Sequence, residues 1–264
     1  MYKAKSERNP RIFAHRGTSL MAPENTQAAF DLALRYQADV LETDVRLSKD
    51  GIIMVTHDES LQRTTNGSGL VRDYTARELK RLDAAHGFTD LNNERYSGEP
   101  VSMLTLDELF ELYPTVGINI DIKDNDPKAA KAVANLIRNR QTKSRSEQWL
   151  NVGSFHASVA KQFRVHAPLV STAATRQEVA RLVFGNTKRL TPTYRLLQIP
   201  VAYWGIRLDS KRLIGKAHQL NCEVAYWTIN DASLIRKLLK NGCDGVVTDR
   251  PDLALLEFER AGLK

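Results

Sequence analysis

Acids, imidazoles and cations gather at four places in this chain where a short apolar run stops or is interrupted. They are His15-Arg16 after RIFA (11–14), Glu42 and Asp44 within VLETDVRL (40–47), His57-Asp58 closing IIMVTHD (52–58), and Asp121 and Lys123 closing GINIDIK (117–123). Glu42 and Asp44 are two apart, so on a strand both leave the same face. Carboxylates held together repel unless a proton or cation lies between them. With Asp121 they supply three oxygen donors and no thiol, a set suited to Mg²⁺ or Ca²⁺ rather than zinc. His15 and His57 close different runs and could face each other across such an ion, one accepting a proton and the other donating it near neutral pH. Arg16 and Lys123 add fixed positive charge, and an arginine fork matches the paired oxygens of a phosphate. A plain ion pair is the alternative for each cation, as a surface-facing pair is for the two acids. The apolar neighbours Val40, Leu41 and Val45 favour a site. Together these residues describe a place for splitting a phosphate ester. Trp227, in AYWTIN, ends a late run and could either wall a pocket or pack in the core. His86, His156, His166 and His218 read as structural or exposed.

Elements must bring these groups together. Short β-rich runs alternate with amphipathic stretches, which favours a parallel α/β architecture. A first helix spans about 25–36, with Ala29, Phe30, Ala33 and Leu34 on one face and Asn25 as its cap behind Pro23. Further runs at 149–155, 169–173, 196–200, 223–229 and 244–249 alternate with helices near 128–140, 158–166, from 176, and 231–240. About eight strand–helix units close naturally as a (β/α)8 TIM barrel, whose chemistry sits at the C-terminal strand ends. The segment of about 60–105 breaks the alternation with turn signals (TTNGSG, HGFTD, YSGEP) and one short helix near 76–82. It reads as an insertion after the second barrel strand that caps the mouth. Residues 1–264 then form a single catalytic domain.

The composition, 42% hydrophobic and 26% charged, excludes a disordered chain or a disulfide scaffold. Lys and Arg exceed Asp and Glu by 38 to 31, which attracts anionic partners. The cations are scattered, and groupings such as 138–145 and Lys188-Arg189 read as solvated surface. No nucleic-acid motif accompanies the charge, whereas peripheral contact with a membrane stays open. Cys222 and Cys243 fit no metal spacing and read as buried thiols in a reducing compartment. The N-terminus MYKAKSERNP carries no apolar segment after it, and no 18 apolar residues run together. The expectation is a cytoplasmic protein without a transmembrane segment.

AHRGTSLMAPENTQAAF, LETDVRLSKDGIIMVTHDESLQRTTNGSG, NIDIK, AYWTIN and GCDGVVTDRP, in this order from Phe13 to about Pro251, resemble the glycerophosphodiester phosphodiesterase family. The resemblance implies a TIM barrel with an insertion after its second strand and a Mg²⁺ or Ca²⁺ ion on Glu42, Asp44 and Asp121. It makes His15 and His57 the acid/base pair, sets Arg16 and Lys123 on the phosphate, and brings Glu24 and Asn25 near the site. Asp121 departs from the glutamate most common at that position. INIDIK is similar instead to members acting on lysophospholipids. The expected reaction is metal-dependent hydrolysis of glycerophosphocholine- or glycerophosphoethanolamine-type diesters to glycerol phosphate and an alcohol. The second reading is a lysophospholipase D, which requires an apolar channel that Phe88, Tyr96, Met103 and Leu104 could contribute. A barrel that binds metal or lipid without catalysis is a third, which the presence of both histidines and all three acids opposes.

Overall fold

The computed structural model describes residues 9–143 and 149–264. The N-terminal MYKAKSER, the side chains that end the basic grouping at 138–145, and the Lys188 side chain lie outside the described residues. The chain opens with β1 (Arg11–His15), α1 (Gln27–Arg35), β2 (Val40–Leu47) and β3 (Ile53–Val55). Then come α2 (Ala76–Leu79), α3 (Leu106–Leu112), β4 (Gly117–Ile122), α4 (Pro127–Lys143), β5 (Leu150–Gly153), α5 (Ala157–His166) and β6 (Ser171–Thr172). The last part holds α6 (Arg176–Phe184), β7 (Leu196–Ile199), β8 (Ala202–Tyr203), β9 (Ile206–Arg207), α7 (Lys211–Gln219), β10 (Glu223–Tyr226), α8 (Ala232–Asn241), β11 (Gly245–Thr248) and α9 (Pro251–Arg260).

Among the described residues eight parallel strands follow one another as β6-β5-β4-β2-β1-β11-β10-β7. The ends of this row meet at a single bridge between Ala173 and Leu196, where the Ala174 N–H donates to the Leu196 carbonyl at 2.8 Å. The result is the expected barrel, nearly closed. Run 52–58 is not one of its staves, because β3 doubles back antiparallel on β2 with Val45 opposite Val55.

Alternation along the strands sorts side chains between two cores. Ile12, Ala14, Leu41, Val45, Ile118, Ile120 and Ile122 face outward into the main core beneath the helices. Phe13, Val40, Leu196, Ala225 and Val247 fill the barrel interior. Gly245 is required there, since a Cβ on it would lie 2.5 Å from the Phe13 ring. Burying a phenylalanine this fully contributes about 2–3 kcal/mol, so the packed floor anchors the residues above it.

Side-chain caps set the start of several helices. Thr105 and Thr175 form capping boxes with Glu108 and Glu178, and Asp231 caps α8. Helices α3, α7 and α9 and the β8–β9 hairpin go beyond the sequence reading. Segment 60–105 has a small core of its own, with Leu61, Val71, Leu79 and Met103 packed on Met54 of β3. Cys222 and Cys243 are buried, free thiols. Among the described residues no helix is long and apolar enough to cross a membrane.

Candidate active site

HRG marks the point where β1 ends and the chain must reverse. His15, two residues beyond the inward-facing Phe13, pairs in register with Glu42 on β2. Arg16 and Gly17 take left-handed backbone angles, φ 54° and 88°, and the Gly17 N–H returns to the Ala14 carbonyl at 3.1 Å. A Cβ on Gly17 would lie 2.6 Å from that of Ala29, so the glycine is what lets α1 pack against the turn. Gly17→Ala is therefore expected to destabilise the fold by about 2–4 kcal/mol through strain and overlap together, read as a lower denaturant midpoint at unchanged m-value.

Strand β2 presents Glu42 and Asp44 on its inner face, and β4 sets Asp121 opposite Asp44. The Arg16 backbone N–H donates to Glu42 Oε2 at 3.0 Å, while Arg16 Nε lies 3.0 Å from Asp44 Oδ2. Lys123 Nζ is 2.9 Å from Asp44 Oδ1 and 2.6 Å from Asp121 Oδ2. Both cations are thus ion-paired to the acids in this arrangement. Burial, reinforced by the charge of Asp44, holds the Glu42 carboxyl well above the usual range. Burial pushes Asp44 the same way, but Lys123 and Arg16 outweigh it and hold that carboxyl down. Asp121 is raised, chiefly by burial, in spite of Lys123.

Asn25 is not the helix cap. Thr26 caps α1, its side chain accepting the Ala29 N–H. Asn25 is instead buried at φ 58°, donating to Asp44 Oδ2 at 3.3 Å and accepting from Thr43 Oγ1 at 2.8 Å. It braces the acid from behind.

Each histidine is oriented by a carboxylate. Beyond β3, the Thr56 N–H donates to the Asp44 carbonyl at 2.9 Å and Arg46 Nε to the His57 carbonyl at 2.8 Å. These bonds fix His57 over β2. His57 Nδ1 lies 2.6 Å from Asp58 Oδ1. His15 Nδ1 lies 2.6 Å from Asp249 Oδ1, an acid just past β11 that also accepts from Ser19 Oγ at 2.5 Å and Asn230 Nδ2 at 2.7 Å. With Nδ1 engaged, Nε2 is the nitrogen left for chemistry on both rings. His15 Nε2 stands 4.0 Å from Glu42 Oε2. Burial pulls both imidazoles down. In His57 it prevails over Asp44 and Asp58, whereas in His15 Glu42 and Asp249 overcome it and leave the ring raised. Burial would raise Asp58 and Asp249, yet Arg63 and His57 bring the first, and His15 the second, down to about 2.

Arg63 ties the two halves together. It reaches Asp58 at 2.5 Å and Glu24 at 2.6 and 2.8 Å, and Glu24 in turn accepts from Arg16 at 2.9 Å. The roles of Asp249 and Arg63 were not read from sequence. Alternation could have found Asp249, because Val247 faces inward and the second residue on continues that face. Nothing local signals Arg63.

His15, Arg16, Glu42, His57, Asp121 and Lys123 form the floor of a cavity of about 530 Å³. Trp227 is part of its wall, edge-on to Phe155 at 6.0 Å and 83°. The far wall is apolar, built from Val179, Val183 and Phe184 of α6, Ile199 of β7, and Tyr203 and Trp204 of the hairpin. The expected channel of Phe88, Tyr96, Met103 and Leu104 does not form. Met103 and Leu104 are buried in separate cores, and none of the four lines the cavity. The physical reason is that Met103 is taken up by the segment's own core and Leu104 by the main core beneath the helices.

Among the described residues no three histidine, cysteine or acidic side chains are grouped so as to hold a metal ion, and the Lys123 ammonium lies between Asp44 and Asp121. The donor chemistry nevertheless fits a hard cation. The three inward acids are all carboxylates, and Asp44 Oδ1 is buried without a hydrogen bond of good geometry.

A model of the Glycerophosphoryl diester phosphodiesterase family matches residues 15–253. The chain belongs to this family. It is an enzyme of that class, a phosphodiester hydrolase. A glycerophosphodiester phosphodiesterase of Bacillus altitudinis is 34% identical over 255 residues, covering 93% of this chain and 96% of the relative. The crystal structure of a glycerophosphodiester phosphodiesterase from Agrobacterium tumefaciens superposes with a TM-score of 0.74 at 29% identity, covering 93% of this chain and 99% of that one. An Oleispira antarctica phosphodiesterase, solved in complex with the product sn-glycerol-3-phosphate, has a TM-score of 0.75 at 25% identity, covering 97% of this chain and 100% of that one. In this family member the HRG, PENT, HD and TDRP stretches therefore converge on one barrel mouth.

Proposed function

We propose that this phosphodiesterase hydrolyses glycerophosphodiesters of the glycerophosphocholine or glycerophosphoethanolamine type with the aid of one divalent cation, Mg²⁺ or Ca²⁺, on Glu42, Asp44 and Asp121. The observation that carries this reading is the pair of carboxylate-oriented histidines, His15 and His57, lining one cavity with those acids. Such an ion, when bound, withdraws charge from the phosphoryl oxygens. Arg16 and Lys123 bind and orient the phosphate through their N–H donors. One histidine takes the proton of the attacking oxygen, from water or the neighbouring glycerol hydroxyl, and the other gives a proton to the departing oxygen. Asp249 and Asp58 hold each imidazole for this exchange, and Trp227 walls the departing alcohol. Residues 1–264 act as one domain. Segment 60–105 caps one flank of the mouth, a role supported by Arg63 bridging Asp58 and Glu24.

A second reading, lysophospholipase D action on lysophospholipids, is favoured by the apolar far wall, which no glycerol or choline headgroup requires. One assay panel tests both. Glycerophosphocholine, glycerophosphoethanolamine and lysophosphatidylcholine are each offered with Mg²⁺, Ca²⁺ or chelator. Turnover of the deacylated diesters that chelator abolishes is the expected outcome. A marked preference for the monoacylated substrate transfers the assignment to the second reading, and full activity in chelator removes the ion from the proposal.

A further inference from the structure

Hairpin β8–β9 turns at Trp204-Gly205, both with positive φ, 50° and 77°. Glycine suits such a turn, whereas a bulky aromatic in the left-handed region is crowded by its own Cβ. Trp204 is nonetheless there, 88% exposed and stacked on Tyr203 at 6.0 Å and 30°. Phe184, at the end of α6, is 72% exposed, and Tyr203 and Ile206 are also exposed. These four side chains belong to one rim of the cavity that descends to the phosphate-splitting floor. A contiguous apolar rim of this kind marks a contact surface.

The surrounding charge selects the contact. Arg176 and Arg181 are exposed on α6, Arg181 one turn before Phe184, and Arg189 is exposed just beyond. Glu178, the acid of that helix, is committed to Arg164 at 2.7 Å. Cations beside a tryptophan–tyrosine tip complement an anionic headgroup layer, and both aromatics favour the boundary between water and hydrocarbon. A second copy of the chain would bring the same cations face to face.

We propose that the β8–β9 tip and the end of α6 dock on an anionic phospholipid bilayer, setting the mouth of the cavity against the lipid surface. A few aromatic side chains and arginines give reversible attachment, weakened by salt. This docking is independent of which diester is cleaved.

The test is sedimentation of the full chain with vesicles of phosphatidylcholine and phosphatidylglycerol in equal parts, beside vesicles of phosphatidylcholine alone. Wild type is expected to pellet with the anionic vesicles at low salt and to release at high salt. The double variant Trp204→Ser, Phe184→Ser is expected to lower the partition coefficient by about tenfold or more. Brominated lipid supplies a readout without any variant, because Trp204 is exposed whereas Trp149 and Trp227 are half-buried, and its emission should be quenched on docking. Failure of wild type to pellet with either vesicle, an unaltered partition coefficient in the double variant, or unquenched emission in the pelleted protein would each overturn the proposal.

Discussion

Replacing His57 with alanine is expected to cut kcat on a glycerophosphodiester by about 10²- to 10⁴-fold, the range for removing a positioned general acid or base. His15→Ala should lose a similar amount, and the double variant little more than either single one, because groups acting on one proton relay fail as a unit. The fold should survive both changes. Asp58 keeps its ion pair with Arg63 when the His57 ring is removed, and Asp249 keeps Ser19 and Asn230 when the His15 ring is removed. Steady-state kinetics beside an unchanged near-ultraviolet dichroism spectrum checks the expectation. Near-normal turnover in either single variant would remove that histidine from the chemistry.

Asp249→Asn is expected to lower kcat by about 10²- to 10⁴-fold while KM stays close to the wild-type value. The carboxylate accepts the proton on His15 Nδ1, which fixes the tautomer. An asparagine amide can turn its own N–H toward that nitrogen and so place the ring proton on the wrong side. Loss of the negative charge also removes one of the two influences that hold His15 above its ordinary range. A merely structural Asp249 would give an altered melting profile instead, with kcat per folded molecule preserved. The kcat-against-KM comparison, made beside thermal unfolding of the same sample, separates the two.

Much of this was readable in the chain because barrel geometry turns alternation into direction. Once RIFA, VLETDVRL and GINIDIK are taken as neighbouring staves, the inward faces carry His15, Glu42, Asp44, Asp121 and Lys123 without further information. Run 52–58 shows the limit of that logic. Its composition is as strand-like as the others, but Ile53–Val55 follows a tight turn at Gly51 (φ 78°) and pairs back onto β2, which a pattern of apolar residues does not reveal. Asn25 shows a second limit. Pro-Glu-Asn ahead of a helix reads as a cap, yet the next residue, Thr26, takes that task and frees Asn25 to reach Asp44. The apolar far wall lay beyond reach for a different reason. Val179, Val183 and Phe184 look like an ordinary buried stripe of α6, and their spacing does not tell that they face a cavity beside the sparse pairing between β6 and β7.

That same sparse pairing has a mechanical consequence. The row of staves runs from β6 to β7, so the seam at Ala173 and Leu196 lies across the barrel from β1 and β2, which bear His15, Glu42 and Asp44. Local breathing falls where backbone bonds are fewest. The compliant side of the barrel is therefore the one beside the apolar pocket, and the stiff side holds the reacting groups. A bulky guest can be admitted by widening the seam while the acids and imidazoles keep their mutual spacing.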